Sequence, residues 1–120
     1  MGTALVVDDS STERQIISSC LQNEGINVLI ATSGEEALEK IKDTRPDVIV
    51  LDVVLPGRSG FEICRELKAE TSTRSIPVII CSTKGSEMDK FWGMKQGADA
   101  YIAKPIDQEE FLRTVKQLIK

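Results

Sequence analysis

Five short, mostly apolar runs punctuate the chain: Ala4–Val7, Val28–Ala31, Val48–Leu51, Ile76–Ser82 and Ala100–Ala103. They lack the apolar–polar alternation of half-exposed strands. Each reads as a strand, and the runs Val48–Leu51 and Ile76–Ser82 suit strands buried on both faces of a parallel sheet. The central run ends on a carboxylate, Asp52, and a loop over residues 53–60 follows it. Open α/β sheets place their ligands at the carboxyl ends of such strands. Aspartate is also a common turn residue, so Asp52 taken alone assigns nothing.

The segments between the runs read as helices. Ser10, Ser33 and Ser59 each precede a glutamate by three residues, the spacing of a capping box, and Asp107 precedes Glu110 in the same way. Ser86 opens a further helix that ends at Gly97. Helical periodicity turns Ile16, Ile17, Cys20 and Leu21 inward in the first helix. It does the same for Ala37, Leu38 and Ile41 in the second, for Phe61, Ile63, Cys64 and Leu67 in the third, and for Phe111, Leu112, Val115 and Leu118 in the fifth. In the fourth, Met88, Phe91, Trp92 and Lys95 share one stripe, so at least one of the two aromatics is expected in the core. Five strands alternating with five helices predict a parallel sheet covered on both faces, with right-handed crossovers. The expectation is one domain over residues 1–120 with no second functional domain.

Composition excludes several function classes. The net charge is −4 and no Lys/Arg stripe is present, which disfavours nucleic-acid binding. No apolar run approaches the roughly 20 residues of a membrane span, and no signal peptide is visible, so a cytoplasmic location is expected. The absence of histidine removes Ser-His-Asp and Cys-His catalysis and His-ligated metals. Cys20, Cys64 and Cys81 are an odd set without paired spacing and read as small buried hydrophobes.

In a parallel sheet all the strand ends share one edge. Asp8 and Asp9 end the first strand, Asp52 the third and Ser82 the fourth, and Lys104 follows the fifth. Carboxylates with room for water suit Mg²⁺, which prefers oxygen ligands. An ammonium and a hydroxyl beside them suit an oxyanion such as a phosphoryl group.

These residues carry a resemblance. Asp8-Asp9, Leu51-Asp52, Leu55-Pro56-Gly57, Gly60, Ser82, Gly97-Ala98-Asp99-Ala100-Tyr101 and Lys104-Pro105 resemble the receiver domain of two-component response regulators over the whole chain. The resemblance implies a doubly wound, flavodoxin-like fold with strand order 2-1-3-4-5 and helices on both faces. It implies that Asp52 accepts a phosphoryl group from a histidine kinase or phosphotransfer protein, and that Ser82 and Lys104 contact its oxygens. Asp8, Asp9, Asp52 and the Val54 backbone carbonyl would hold Mg²⁺. Ser82 and Tyr101 would form the switch, and the Lys104–Pro105 bond would be cis. In the family, polar or acidic groups at the positions of Val54 and Lys84 accompany fast self-dephosphorylation, and a small residue is usual at the position of Thr83. A narrower resemblance, carried by Trp92-Gly93 and Gln96-Gly97-Ala98, is to single-domain regulators of type IV pilus twitching motility.

The reading that follows is a stand-alone phosphorylation switch, a monomer or weak dimer, that acts on a protein partner through its fourth helix, fifth strand and fifth helix. It is not an enzyme beyond its own phosphorylation and dephosphorylation. One alternative is an interaction module that keeps the fold without phosphotransfer, although intact Asp9, Asp52 and Lys104 argue against it. Another is a receiver excised from a longer regulator. A flavodoxin-like enzyme is disfavoured, because Asp8-Asp9-Ser10 carries the wrong charge for a phosphate cradle.

Overall fold

Strand β1 (Thr3–Val7) lies inside a five-stranded sheet with β2 (Asn27–Ala31), β3 (Val48–Leu51), β4 (Val78–Ser82) and β5 (Ala100–Ala103). The computed structural model describes residues 2–119. All strand pairs are parallel, as the alternating pattern predicts, and the order is β2-β1-β3-β4-β5, as the resemblance implies. Between the strands run α1 (Ser11–Gln22), α2 (Gly34–Thr44), α3 (Gly60–Ala69) and α4 (Glu87–Lys95), and α5 (Gln108–Leu118) follows β5.

Residues of β1, β3 and β4 alternate between two apolar layers, which is why their sequences are continuously apolar, whereas edge strand β2 leaves Ile30 exposed. Leu5, Val7, Ile49, Leu51 and Ile80 pack with Ala37, Ile41, Ile63 and Leu67 of α2 and α3. On the other face, Ala4, Val6, Val50, Ile79 and Cys81 pack with Ile17, Leu21, Phe111 and Val115 of α1 and α5.

Several expectations are corrected. Ile16 does not join the inward face of α1 and is 41% exposed. β4 starts at Val78 rather than Ile76, because Pro77 has no amide hydrogen to offer the ladder. Neither aromatic of α4 is in the core: Phe91 and Trp92 are at least half exposed, and the buried residue of that helix is Gly93. A β-carbon at Gly93 would lie 2.6 Å from the Tyr101 ring. Tyr101 of β5 thus fills the space where a side chain of α4 was expected, and the helix rests on it through glycine.

Register places the site. Val7 pairs with Leu51 and Ser82 with Ala103, so Asp8 and Asp52 emerge side by side, and Lys104 emerges one residue beyond Ser82. Backbone bonds continue past the strands: the Asp52 amide donates to the Val7 carbonyl at 3.0 Å, and the Lys104 amide to that of Ser82 at 2.9 Å. Gly60 opens α3 against this edge, and its amide donates to the Val53 carbonyl at 2.8 Å. A β-carbon at Gly60 would fall 1.9 Å from the Asp52 carbonyl oxygen, a backbone atom that cannot swing away. We expect Gly60→Ala to destabilise the fold by about 3 kcal/mol, in the upper part of the overpacking range. A urea melt reads this directly, and an unchanged midpoint would contradict the packing.

Candidate functional site

The loop after β1 is shaped by the first of its two aspartates. Asp8 is 1% exposed, and its Oδ1 accepts the amide of Ser10 at 3.0 Å. Ser10 in turn caps α1 by accepting the Glu13 amide at 3.3 Å. The capping box predicted there is therefore half formed: the Ser10 amide is spent on Asp8, and the Glu13 carboxylate is released toward the strand ends. The box after β2 is also half formed, because the Glu36 carboxylate takes the Thr32 amide and hydroxyl instead. At Ser59 and Ser86 both halves are present.

Lys104 closes the arrangement. Its side chain is 3% exposed, and its Nζ lies 2.5 Å from Asp8 Oδ2 and 3.3 Å from Asp52 Oδ2. Burial works to lower the lysine pKa. The hydrogen bond to Asp8 and the charges of Asp52 and Asp8 outweigh it, so the ammonium is held above its ordinary value. An ammonium buried without such partners would be strongly destabilising. The peptide bond from Lys104 to Pro105 is cis, as the resemblance implies.

Asp8, Asp9 and Asp52 each bring an oxygen within 4.8 Å of the other two. The three donors are all carboxylate oxygens, and Asp9 is exposed, which leaves the cluster open to water. This set fits a hard divalent cation such as Mg²⁺, which keeps several of its waters. Asp52 is 9% exposed, and its Oδ1 accepts the Val54 amide at 3.3 Å. Val54 itself is 52% exposed.

The remaining predicted residues form a second group. Ser82 is fully buried, and its hydroxyl accepts the Lys84 amide at 3.2 Å. The Lys84 carbonyl accepts the hydroxyl of Tyr101. Ser82 and Tyr101 are thus joined through the Lys84 backbone, while the Lys84 and Thr83 residues are exposed. Burial first, and then the charges of Asp89 and Asp52, push the Tyr101 hydroxyl up to about 12, so it remains a donor. Among the described residues the Ser82 hydroxyl makes no hydrogen bond to Asp52 or to the Lys104 side chain. Burial also raises the thiols of Cys64 and Cys81, to about 11 and about 12, consistent with inert core residues.

Two residues of the site escape the strand-end logic. Arg14 donates to the Asp8 carbonyl at 2.9 Å, and Glu13 Oε1 lies 3.8 Å from Lys104 Nζ. Both sit on the first turn of α1, and only the possibility that the Ser10 capping box would fail could have pointed to Glu13.

A doubly wound sheet with acidic residues after β1 and β3 and a lysine after β5 defines a receiver. The chain belongs to the response regulator receiver domain family, whose sequence model matches residues 4–116. Among its relatives is Protein PilH of Pseudomonas aeruginosa, 40% identical over 119 residues, covering 99% of this chain and 98% of that protein. The phosphate regulon transcriptional regulatory protein PhoB of the same organism is 39% identical over 118 residues, which is 98% of this chain and 52% of PhoB. Among solved structures, the chemotaxis protein CheY4 of Vibrio cholerae superposes with a TM-score of 0.90 at 35% identity, covering 98% of each chain. Among the described residues no helix is long and apolar enough to cross a membrane.

Proposed function

We propose that this receiver is a phosphorylation switch in which Asp52 accepts a phosphoryl group from the phosphohistidine of a histidine kinase or phosphotransfer protein. The observation that carries the reading is the pinning of the buried Lys104 ammonium between Asp8 and Asp52. Such a lysine is positioned to turn to phosphoryl oxygens on Asp52. Asp52 Oδ attacks phosphorus, the bond from phosphorus to the donor nitrogen breaks, and an acyl phosphate forms on the protein. Asp8, Asp9, Asp52 and the Val54 carbonyl are assigned to Mg²⁺. When bound, the ion supplies positive charge against the phosphoryl oxygens, and catalysis of this kind is largely positioning and charge neutralisation.

The output is assigned to the face of α4, β5 and α5. Met88, Phe91 and Trp92 are exposed there, and apolar groups gathered on a surface mark contact sites. Ser82, the Lys84 backbone and Tyr101 connect the strand ends to that face. Likeness to PilH over nearly the full length of both proteins favours a single-domain cytoplasmic regulator of pilus-based or taxis motility. A second reading, a receiver module of a longer regulator, rests on PhoB, of which this chain spans about half.

A phosphoryl mimic tests the proposal. A ligand shifts a two-state equilibrium only through differential contacts, and a tetrahedral oxyanion analogue on Asp52 would make them with Ser82 and Lys104. Beryllofluoride with Mg²⁺ is expected to shift the amide NMR signals of Asp8, Asp9, Asp52 and Lys104, together with those of Lys84, Tyr101 and α4. A spectrum without shifts would remove the phosphoacceptor reading. Shifts confined to the loops after β1 and β3 would remove the coupling to α4.

A further inference from the structure

The strand ends hold one carboxylate that the proposed chemistry does not use. Glu13 lies on the first turn of α1, and its Oε1 is 3.8 Å from Lys104 Nζ, too long for a hydrogen bond and close enough for a full charge interaction. Its side chain is 33% exposed and that of Lys104 only 3%, so Glu13 is the more solvent-facing partner of the buried ammonium. It is not tied back to the helix: the Ser10 amide it would cap is occupied by Asp8, whereas Ser59 and Ser86 keep their acidic partners. Its charge is met only in part by Lys104, which is bound more closely to Asp8 and Asp52, and Arg14 is turned to the Asp8 carbonyl.

We propose that Glu13 is a donor-selecting residue: its carboxylate, aimed at Lys104 from the solvent side, penalises phosphodonors in proportion to the negative charge they carry. The inference rests on Asp52 being the phosphoacceptor. A small free donor such as acetyl phosphate arrives as a dianion. Asp52 Oδ bonds to phosphorus, the bond from phosphorus to the acetate oxygen breaks, and acetate leaves with the electron pair. Every such approach brings two negative charges toward Glu13 as well as toward Lys104. Phosphoramidate delivers the same phosphoryl group with one negative charge fewer and releases ammonia, so Glu13 hinders it less. Glu13 contacts neither the acceptor nor the transferred group; it acts by its field and by drawing on the same ammonium.

The full chain is labelled with acetyl phosphate and with phosphoramidate at saturating Mg²⁺, as wild type, Glu13→Gln and Glu13→Asp. Glu13→Gln is expected to raise the acetyl phosphate rate about three- to tenfold at low salt, and the phosphoramidate rate less. Near-surface unit charges a few ångströms apart interact by roughly 1 kcal/mol or more, and 1.4 kcal/mol is tenfold. The gain should shrink as salt screens the field. Glu13→Asp, which keeps the charge, should leave the ratio of the two rates near wild type. Calorimetry on the unphosphorylated protein should find Mg²⁺ bound more weakly by Glu13→Gln, since the same carboxylate attracts a cation. A structural role for Glu13 would change both donor rates alike and would not respond to salt. An unmoved donor ratio with labelling intact overturns this inference alone. No labelling of wild type by either donor overturns the phosphoacceptor reading, and the inference with it.

Discussion

Asp52→Asn is expected to reduce labelling by acetyl phosphate to background while leaving the fold intact. The side chain keeps its shape but only one acceptor oxygen, so it can keep either the Val54 amide, which Asp52 Oδ1 accepts, or the Lys104 ammonium, which Oδ2 accepts, and not both. What it loses is the nucleophile. An amide oxygen does not form a stable phosphoryl adduct, and neither Asp8 nor Asp9 is placed to replace it. Asp8 is committed to Lys104 and to the Ser10 amide, and Asp9 is exposed at the cluster's edge. Substitution also removes one of three carboxylates whose oxygens lie within 4.8 Å of one another, so like-charge repulsion falls. The thermal midpoint should therefore hold or rise, because Lys104 keeps Asp8 at 2.5 Å. Chelation should have the same effect on labelling as the mutation. At about 4 Å each unneutralised carboxylate opposes an incoming oxyanion by roughly 1–4 kcal/mol, depending on the local dielectric. Intact-mass spectra after incubation with acetyl phosphate decide both points. A phosphoryl adduct on Asp52→Asn at the wild-type rate, or labelling that survives EDTA, would place the acceptor elsewhere.

The strand ends were legible in the sequence because a parallel sheet imposes a global rule on local motifs. Once five buried runs alternate with helices, their carboxyl ends must share an edge. The strand order, which the resemblance and not the pattern implied, makes β1 and β3 neighbours, and the pairing of Val7 with Leu51 then brings Asp8 to Asp52. Lys104 could be placed at that edge by the same rule, but its burial between two aspartates could not, since that depends on three elements meeting. Helix α4 misled the periodicity argument for a definable reason. Met88, Phe91 and Trp92 do share one side of the helix, but that side faces solvent. The face that is buried is the one with no side chain, because the Tyr101 ring already occupies the space. Glu13 was misread for a related reason. A capping box presumes a free amide on its first residue, and at Ser10 a competing carboxylate two residues earlier takes that amide. Competition among partners of similar strength is decided by tertiary geometry, which short-range spacing does not record.

The phosphorylated state should be long-lived. Hydrolysis of an acyl phosphate on Asp52 needs a water in line with the bond between phosphorus and the Asp52 oxygen. We assign control of that approach to the side chains of Val54 and Lys84, two residues beyond Asp52 and Ser82, on the family resemblance. The Val54 amide is held on Asp52 Oδ1 at 3.3 Å, and the residue is 52% exposed. Its side chain offers neither donor nor acceptor to a water. Lys84 is exposed, and its backbone is engaged on both sides, by Ser82 and by Tyr101. Its ammonium can pair with the phosphoryl group but cannot accept a proton from the attacking water. Thr83, exposed next to Ser82, adds bulk to the same loop. Poor positioning of a reacting water costs on the order of 10²-fold in rate. A Val54→Asn, Lys84→Glu double mutant supplies a hydrogen-bonding amide and a carboxylate base at the two positions, and should recover much of that factor. The decay of radiolabelled phosphoprotein in Mg²⁺ buffer, after removal of the donor, compares the two. The expected result is slow decay for wild type and decay faster by ten- to a hundredfold for the double mutant, on the order of the positioning cost. Wild type decaying as fast as the double mutant would mean that Val54 and Lys84 do not govern access of water. The lifetime would then have to be set by the Ser82 and Lys104 contacts to the phosphoryl oxygens.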